Sequence, residues 1–281
     1  MDVFEEIVRL RKAGRKGALA TIVEVQGSIP SHESSKILIR DDGSIAGTVG
    51  GGCVEAEVWN AAREVMETER PKHLNFSLGQ DAAYDNGLIC GGQLSVFVEP
   101  VVPQPRVFIF GAGHISKSLS KVAAMAGFEP VVIDNREQYA NRERFPDAAE
   151  VFAEEYDDVF PKLTIRDTGY IVIVTRGHRD DMRVLRHAVE TPARYIAMIG
   201  SKRKVIGVVK ELEKDGVPRA AFDRLYAPMG FEIGAITPEE IAVAVVAEMI
   251  AVRRNAASDW RALSKSIFVN ESAPDARVSL K

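Results

Sequence analysis

The fold follows from residues 107–116, which read Val107-Phe108-Ile109-Phe110-Gly111-Ala112-Gly113-His114-Ile115-Ser116. The four apolar residues predict a buried strand, the glycines a tight turn, and the spacing after them a helix. Asp134 ends the next predicted strand, 21 residues after Gly113. A dinucleotide-binding fold places there the carboxylate that binds ribose hydroxyls. Ser116 replaces the third glycine of that fingerprint, so a tight turn that binds nothing is the alternative interpretation.

Strands and helices alternate through the rest of the second half of the chain. This alternation predicts a parallel sheet with helices on both faces. The predicted strands cover residues 107–110, 131–133, 150–153, 170–174 and 195–199, and the predicted helices cover residues 115–126, 180–189, 205–212 and 238–252.

The last of these helices has a clear start signal. Thr237 is a good N-cap, Pro238 suits the first helical position, and Glu240 completes a capping box. Residues 241–252 are apolar almost all round. We therefore expect this helix to be buried, against the first domain or a second subunit.

The first half of the chain predicts a smaller α+β domain. Predicted helices cover residues 2–13 and 53–66, and predicted strands cover residues 18–25, 36–40, 45–49, 74–78 and 94–98. Pro100-Val101-Val102-Pro103-Gln104-Pro105 carries three prolines in six residues and predicts a stiff linker. The predicted organisation is α/β, with an N-terminal α+β domain (1–101), a C-terminal domain with a Rossmann-like parallel sheet (105–255) and a tail (256–281).

Composition narrows the classes of partner. The 281 residues carry a net charge of −4 and no basic stripe, so we expect no nucleic acid partner. We expect no membrane segment and no signal peptide, since no apolar run is long enough and the chain starts Met1-Asp2-Val3-Phe4. Two cysteines without CxxC spacing predict neither a disulfide framework nor a structural zinc site. These features predict a cytoplasmic protein with reduced thiols.

A glycine loop in the first half leads into a cysteine. The loop reads Gly47-Thr48-Val49-Gly50-Gly51-Gly52-Cys53-Val54-Glu55 and precedes a predicted helix. Glycines permit a ligand to approach the backbone closely, and amides at a helix N-terminus favour a thiolate. Cys53 is thus a candidate contact for a soft metal or for sulfur, the alternative being a buried small residue. Cys90 also abuts glycines, and Glu55 is expected on a solvated face.

Polar residues also follow the predicted strands of the second half, at the edge where ligands bind to parallel sheets. Taken singly, each is most simply a solvated loop residue, but their joint placement favours an anionic, phosphate-bearing ligand. Ser201 is a candidate helix cap whose neighbouring amides could hold a phosphate. His178 and Asp180 predict either an acid–base pair or a loop histidine beside a helix cap. The residues at this edge are Gly111, Gly113, His114, Asp134, Arg136, Arg176, His178 and Ser201.

Several of these motifs, taken together, resemble the XdhC/CoxI family, whose members mature molybdenum hydroxylases such as xanthine dehydrogenase and carbon monoxide dehydrogenase. The resemblance runs along nearly the whole chain. It is carried by Gly27-Ser28-Ile29-Pro30, the Gly47–Glu55 loop, Cys90-Gly91-Gly92, Phe110-Gly111-Ala112-Gly113-His114, Asp134-Asn135-Arg136 with Glu143-Arg144-Phe145-Pro146, Thr175-Arg176-Gly177-His178, Ile199-Gly200-Ser201-Lys202-Arg203-Lys204, and the run from Ile233 to Val243.

The resemblance implies a chaperone rather than an enzyme. Such a protein binds molybdenum cofactor, protects it, presents it to a cysteine desulfurase for sulfuration, and inserts it into the hydroxylase apoenzyme; dimers are common. The family provides no catalytic residue to carry over. Many members have an arginine after the proline, whereas Ser31 follows Pro30 here. The candidate cofactor contacts are Gly51, Gly52, Cys53, Cys90, Gly111, Gly113, His114, Asp134, Arg136, Arg176, His178 and Ser201, with no separate metal site.

Two other functional classes are compatible with the residues alone. Gly111, Gly113 and Asp134 would also suit a nicotinamide-dependent oxidoreductase using NAD(P), although only His178 is available as an acid–base group. A nucleotide-sensing module without chemistry would use the same fold.

Overall fold

A computed structural model describes residues 2–27, 32–77, 92–256 and 263–267. The chain divides into two compact units, Met1–Gln104 and Pro105–Lys281. The predicted fold class is confirmed: an antiparallel sheet with helices forms the N-terminal unit, and a parallel sheet flanked by helices forms the C-terminal one.

The N-terminal unit is built on a five-stranded antiparallel sheet of order β3-β2-β1-β5-β4. Strand β5 continues through Pro100, which the sequence assigned to the linker. The elements are α1 (Val3–Lys12), β1 (Gly17–Gly27), β2 (Lys36–Arg40), β3 (Ile45–Gly47), α2 (Gly52–Thr68), β4 (Lys72–Ser77) and β5 (Gly92–Val101).

Both faces of this sheet are covered because strand side chains alternate between them. Helix α2 places Val58 and Val65 in one cluster with Ile22 of β1. Leu19, on the opposite face of β1, packs in a second cluster with Leu10 of α1. Each helix therefore buries one face of the sheet.

The C-terminal unit is built on a six-stranded parallel sheet of order β11-β10-β9-β6-β7-β8. The strand order reverses between β6 and β9, and ligands bind at such switch points, beyond the carboxyl ends of the strands. The elements are β6 (Arg106–Phe110), α3 (His114–Met125), β7 (Glu129–Ile133), β8 (Glu150–Phe152), α4 (Tyr156–Val159), β9 (Tyr170–Ile173), α5 (His178–Glu190), β10 (Tyr195–Met198), α6 (Lys202–Lys214), β11 (Leu225–Tyr226) and α7 (Pro238–Arg253).

Two apolar layers sandwich the parallel sheet. Phe108 and Phe110 pack with Leu185 of α5 on one face. Val107 and Ile109 pack with α3 and α7 on the other. The alternation along β6 thus fills both layers from one strand, which is why it reads as a continuous apolar run.

Helix α7 begins as its sequence predicts, with the Thr237–Glu240 capping box and Pro238 at its start. Its burial has a different origin from the expected one. The helix packs against α3 within its own unit, and the Arg253 guanidinium donates to the Ala126 carbonyl at 3.1 Å. Val243 remains 50% exposed, so α7 is not buried all round. None of the helices in the described ranges combines the length and apolar character needed to span a bilayer.

Gly111 and Gly113 provide a matched pair of stability variants. A Cβ at Gly111 would lie 2.4 Å from the Val174 carbonyl oxygen at φ +109°, whereas one at Gly113 would meet nothing within 4 Å. We expect Gly111→Ala to lower the free energy of unfolding by about 3 kcal/mol. The control Gly113→Ala should cost no more than about 1 kcal/mol, the usual effect at a helix N-cap. Denaturation followed by circular dichroism measures both, and equal losses would contradict the close approach at Gly111.

Candidate functional site

Four neighbouring strands bring their following loops to one edge of the parallel sheet. Because neighbouring strands lie about 4.8 Å apart, the ends of β7 and β10 are separated by roughly 14 Å. In sheet order, the loops after β10, β9, β6 and β7 carry Ser201, Arg176 with His178, Gly111 to His114, and Asp134 with Arg136. This edge therefore gathers the site residues that the sequence predicts in the second half.

The glycine turn after β6 is held firmly and has an open N-terminal helix end. The Gly111 amide donates to the Ile133 carbonyl at 2.7 Å, and its missing side chain lets Val174 pass close by. Helix α3 begins at His114, and its N-cap, Gly113, provides no side-chain cap. The first amides of α3 therefore keep their capacity to bind an anion.

Asp134 and Arg136 are bonded to each other. The Asp134 carboxylate accepts hydrogen bonds from the Ala112 amide (2.8 Å), the Arg136 amide (3.0 Å), and Arg136 Nε and Nη2 (2.8 Å each). Burial alone would raise the pKa of Asp134, but these donors together lower it below its ordinary value. The carboxylate thus braces the glycine turn against β7.

Helix α5 begins at His178, two residues earlier than predicted. Gly177 is its N-cap, so the alternative in which Asp180 caps the helix is wrong. Asp180 lies in the first turn and its carboxylate pairs with Arg183 at 3.8 Å. No hydrogen bond or ion pair joins His178 to Asp180 in the described part of the chain, so the structure does not form the acid–base pair. His178 and Arg176 are both exposed.

A buried ion pair fixes the beginnings of α5 and α6. Asp181 is fully buried, accepts from the Thr175 hydroxyl at 2.6 Å, and pairs with Lys204 Nζ. Burial raises the pKa of Asp181, and the hydrogen bonds from Lys204 and Thr175 offset part of that effect. Sequence reasoning missed this pair because the two residues are 23 positions apart in separate helices.

A groove of 810 Å³ lies between the first turns of α5 and α6. It brings together His178 and Ser201, which the sequence predicts as ligand contacts, and adds the cation Arg203. Ser201 caps α6 as predicted, accepting from the Lys204 amide at 3.3 Å. The lining combines polar and apolar groups: His178, Met182, Ser201, Arg203, Lys204, Gly207, Val208 and Glu211. Such a lining suits an anionic ligand that also has an apolar part.

Arg144 is a further residue at this edge that sequence reasoning did not place there. Its Nη2 lies 3.5 Å from the Ala112 carbonyl oxygen. The residue follows no predicted strand, so strand-end reasoning does not find it. Its one signal is that it belongs to the Glu143–Pro146 motif.

The glycine loop of the N-terminal unit is braced from inside. The Glu55 carboxylate accepts from the Thr48 hydroxyl and from the amides of Val49 (3.2 Å) and Gly51 (3.1 Å). These bonds lower the pKa of Glu55 although burial opposes them. The expectation that Glu55 lies on a solvated face is therefore wrong: it holds the loop in shape.

Cys53 is the second residue of α2 and is exposed. The three glycines before it have φ of +114°, +77° and +64°, and a Cβ at Gly51 or Gly52 would meet nothing within 4 Å. The loop thus leaves space beside the thiol. Cys90 lies outside the described residues, so its proximity to Cys53 stays a prediction. No group of three or more His, Cys, Asp or Glu in the described ranges could hold a metal ion.

Two family models match the chain. The XdhC Rossmann domain matches residues 107–249, and the XdhC and CoxI family matches residues 10–77. These matches cover the parallel sheet in one unit and the glycine loop in the other.

Curated relatives include three bacterial proteins. The chain is 35% identical over 257 residues to the uncharacterized protein YqeB of Escherichia coli (strain K12), covering 91% of this chain and 47% of YqeB. It is 31% identical over 163 residues to a protein of Bacillus subtilis (strain 168) named as a probable subunit of xanthine dehydrogenase, covering 58% and 47%. It is 24% identical over 276 residues to the molybdenum cofactor insertion chaperone PaoD of E. coli, covering 88% and 86%. The chain thus spans about half the length of the first two relatives.

A similar solved structure is the crystal structure of a xanthine dehydrogenase from Bacillus halodurans. It has a TM-score of 0.50 and 25% sequence identity, with 94% of this chain and 100% of that chain covered.

The brace at Asp134 predicts a pH-dependent contribution to stability. Asp134→Asn should cost about 2 kcal/mol at pH 7, because a charged acceptor of several hydrogen bonds is lost. Since the folded-state pKa lies below the ordinary value of 3.8, the unfolded chain takes up the proton first on acidification. The contribution is therefore complete above that value and disappears as the pH falls through the folded-state pKa.

Urea denaturation of the wild type and Asp134→Asn at neutral pH and below about pH 4 measures this difference. The exposed Asp147, substituted as Asp147→Asn, is the control. A gap between wild type and Asp134→Asn that stays constant on acidification would contradict the assigned role.

Proposed function

The chain belongs to the XdhC/CoxI family, and from that premise we propose that it is a molybdenum cofactor-binding chaperone. In this proposal it protects the cofactor, supports its sulfuration, and inserts it into a molybdenum hydroxylase of the xanthine dehydrogenase or carbon monoxide dehydrogenase type. The cofactor is cargo, and the protein is a maturation factor rather than an enzyme.

The groove between α5 and α6 is the observation that carries the proposal. Molybdenum cofactor has a planar pterin, dithiolene sulfurs and a phosphate, and some forms carry a nucleotide extension. The groove combines the apolar Met182 and Val208 with the cation Arg203 and the beginning of α6. Apolar walls suit a ring system, while Arg203 and the helix amides suit a phosphate. The roughly 14 Å between the ends of β7 and β10 would accommodate a ligand with separated anionic groups.

Cys53 is the proposed contact for the sulfur- and metal-bearing part of the cargo. A thiolate is a ligand for soft metals and a carrier of sulfur, and the space beside Gly51 and Gly52 permits a bulky group to approach. Cys90 is the proposed second thiol.

The proposed partners are a molybdenum hydroxylase apoenzyme and a cysteine desulfurase, with two copies of the chain forming a homodimer in the cytoplasm. The name of PaoD, a molybdenum cofactor insertion chaperone, supports the first partner. The hydrogen bonds that Asp134 already makes weigh against the alternative of an NAD(P)-dependent oxidoreductase, because a ribose diol would compete with four donors.

Arg203 tests the groove as the place of binding. Protein purified from a molybdenum-replete host should carry pterin and molybdenum, measured by fluorescence after oxidation and by elemental analysis. Arg203→Gln should reduce the retained pterin about tenfold, the effect of about 1.4 kcal/mol of lost binding. Lys210→Gln, at an exposed position of the same helix, should retain the wild-type amount. If the wild type carries and takes up neither pterin nor metal, the proposed function is wrong.

Cys53 is tested by the content of molybdenum and labile sulfur per bound pterin. Cys53→Ala should lower both about tenfold if the thiol holds that part of the cargo with about 1.4 kcal/mol. Asn60→Ala, at an exposed position of α2, is the matched control. Unchanged metal and sulfur in Cys53→Ala would remove the thiol from the proposed site.

A further inference from the structure

The Asp134 carboxylate has no room left for a ribose. Its oxygens offer about four lone-pair positions, and they accept from the Ala112 amide and from three donors of Arg136. The residue is 1% exposed. Since a fold of this kind uses this carboxylate to bind ribose hydroxyls, the glycine turn here is prepared for a ligand that needs no such acceptor.

Arg144 carries the positive charge that remains beside the turn. Arg136 is neutralised by its ion pair with Asp134 at 2.8 Å. Across residues 2–27, 32–77, 92–256 and 263–267, by contrast, no carboxylate lies within ion-pair distance of the Arg144 guanidinium. The one hydrogen bond from this guanidinium is the 3.5 Å contact with the Ala112 carbonyl, and its buried Nε has no partner. A half-buried guanidinium with unused donors is suited to bind an anion.

Tyr139 holds the two guanidiniums in position. The Arg136 Cζ atom lies 4.1 Å from the Tyr139 ring centroid, and the Arg144 Cζ atom lies 5.2 Å from it. Stacking on the ring restricts the Arg144 side chain before any ligand arrives, so less conformational entropy is lost on binding. The local charge of Asp134, Arg136 and Arg144 together is net positive.

Arg144 lies next to the uncapped beginning of α3. Its contact with Ala112 is within the Gly111–Gly113 turn, and the first amides of the 12-residue helix α3 follow directly. Gly113 leaves free space where a Cβ would be. Amide donors and a guanidinium that converge on one open space match the three oxygens of a phosphate group.

We propose that Arg144 and the N-terminus of α3 form a subsite for a phosphomonoester. On the proposed function, on which this assignment of the ligand rests, the group bound there is the phosphate of the pterin cargo. The subsite is separate from the groove between α5 and α6, which then holds another part of the ligand.

Calorimetric titration in phosphate-free buffer tests the subsite with three probes. These are 6-hydroxymethylpterin, its phosphate monoester and inorganic phosphate. The wild type should bind the ester at least about tenfold more tightly than the alcohol, the usual contribution of a charge-assisted hydrogen bond. Arg144→Gln should lose this preference, and Arg144→Lys should keep part of it because the charge remains.

Arg166→Gln is the matched control, since Arg166 is exposed and precedes β9 at the opposite edge of the sheet. It should keep the full preference for the ester. The thermal midpoints of all variants verify that they are folded. Arg144 makes one long side-chain hydrogen bond, so its substitution should leave the midpoint nearly unchanged.

The outcomes separate the subsite from the proposed function. A full phosphate preference in Arg144→Gln, or no binding of ester or inorganic phosphate by the wild type, would overturn the subsite. Arg144-dependent binding of inorganic phosphate to which the pterin ring adds no affinity would support the subsite and contradict the pterin cargo. Pterin binding that is independent of Arg144 would support the cargo and overturn the subsite.

Discussion

The close approach of the Gly111 turn to its neighbouring strands is the constraint on which the C-terminal unit depends. A Cβ at this position would lie 2.4 Å from the Val174 carbonyl oxygen, so only glycine lets the chain leave β6 between β9 and β7. The Ala112 amide, one residue later, is held by the buried Asp134 carboxylate at 2.8 Å. Together these contacts set where α3 begins and hence where its free amides point. The ligand-binding capacity of this edge follows from backbone packing first and from side-chain chemistry second.

The charged groups of the molecule divide into those that brace the structure and those that remain available. Asp134 braces the glycine turn, the Asp181–Lys204 pair joins the first turns of α5 and α6, and Glu55 holds the loop before Cys53. Each is paired or bonded because a buried charge without partners would be costly. Arg144, by contrast, has donors left over. A cargo carrier with open glycines and spare cations needs no acid–base pair, and none joins His178 to Asp180 in the described ranges.

Much of the fold could be predicted because local patterns decide it. The apolar run of β6, the strand–helix alternation and the Thr237–Glu240 capping box are all short-range signals. The use of the polar residues could not be predicted in the same way, since it depends on contacts between distant elements. Asp134 reads as a ribose ligand until its bond to the Ala112 amide is seen, and Glu55 reads as a surface residue until the loop folds back on it. Helix α5 starts early because Gly177 caps it, a role that the helical pattern of the sequence does not announce.

The most direct test of the central claim is hydrogen exchange of the purified protein with and without molybdenum cofactor, read by mass spectrometry. The account predicts that the cofactor slows amide exchange at the beginnings of α3, α5 and α6, in peptides that cover residues 111–118, 176–183 and 201–208. Peptides that cover β6 to β10 themselves should change little, because their amides are already hydrogen-bonded within the sheet. Cofactor-dependent protection that is absent from all three helix beginnings would contradict the claim that this edge of the sheet binds the cargo.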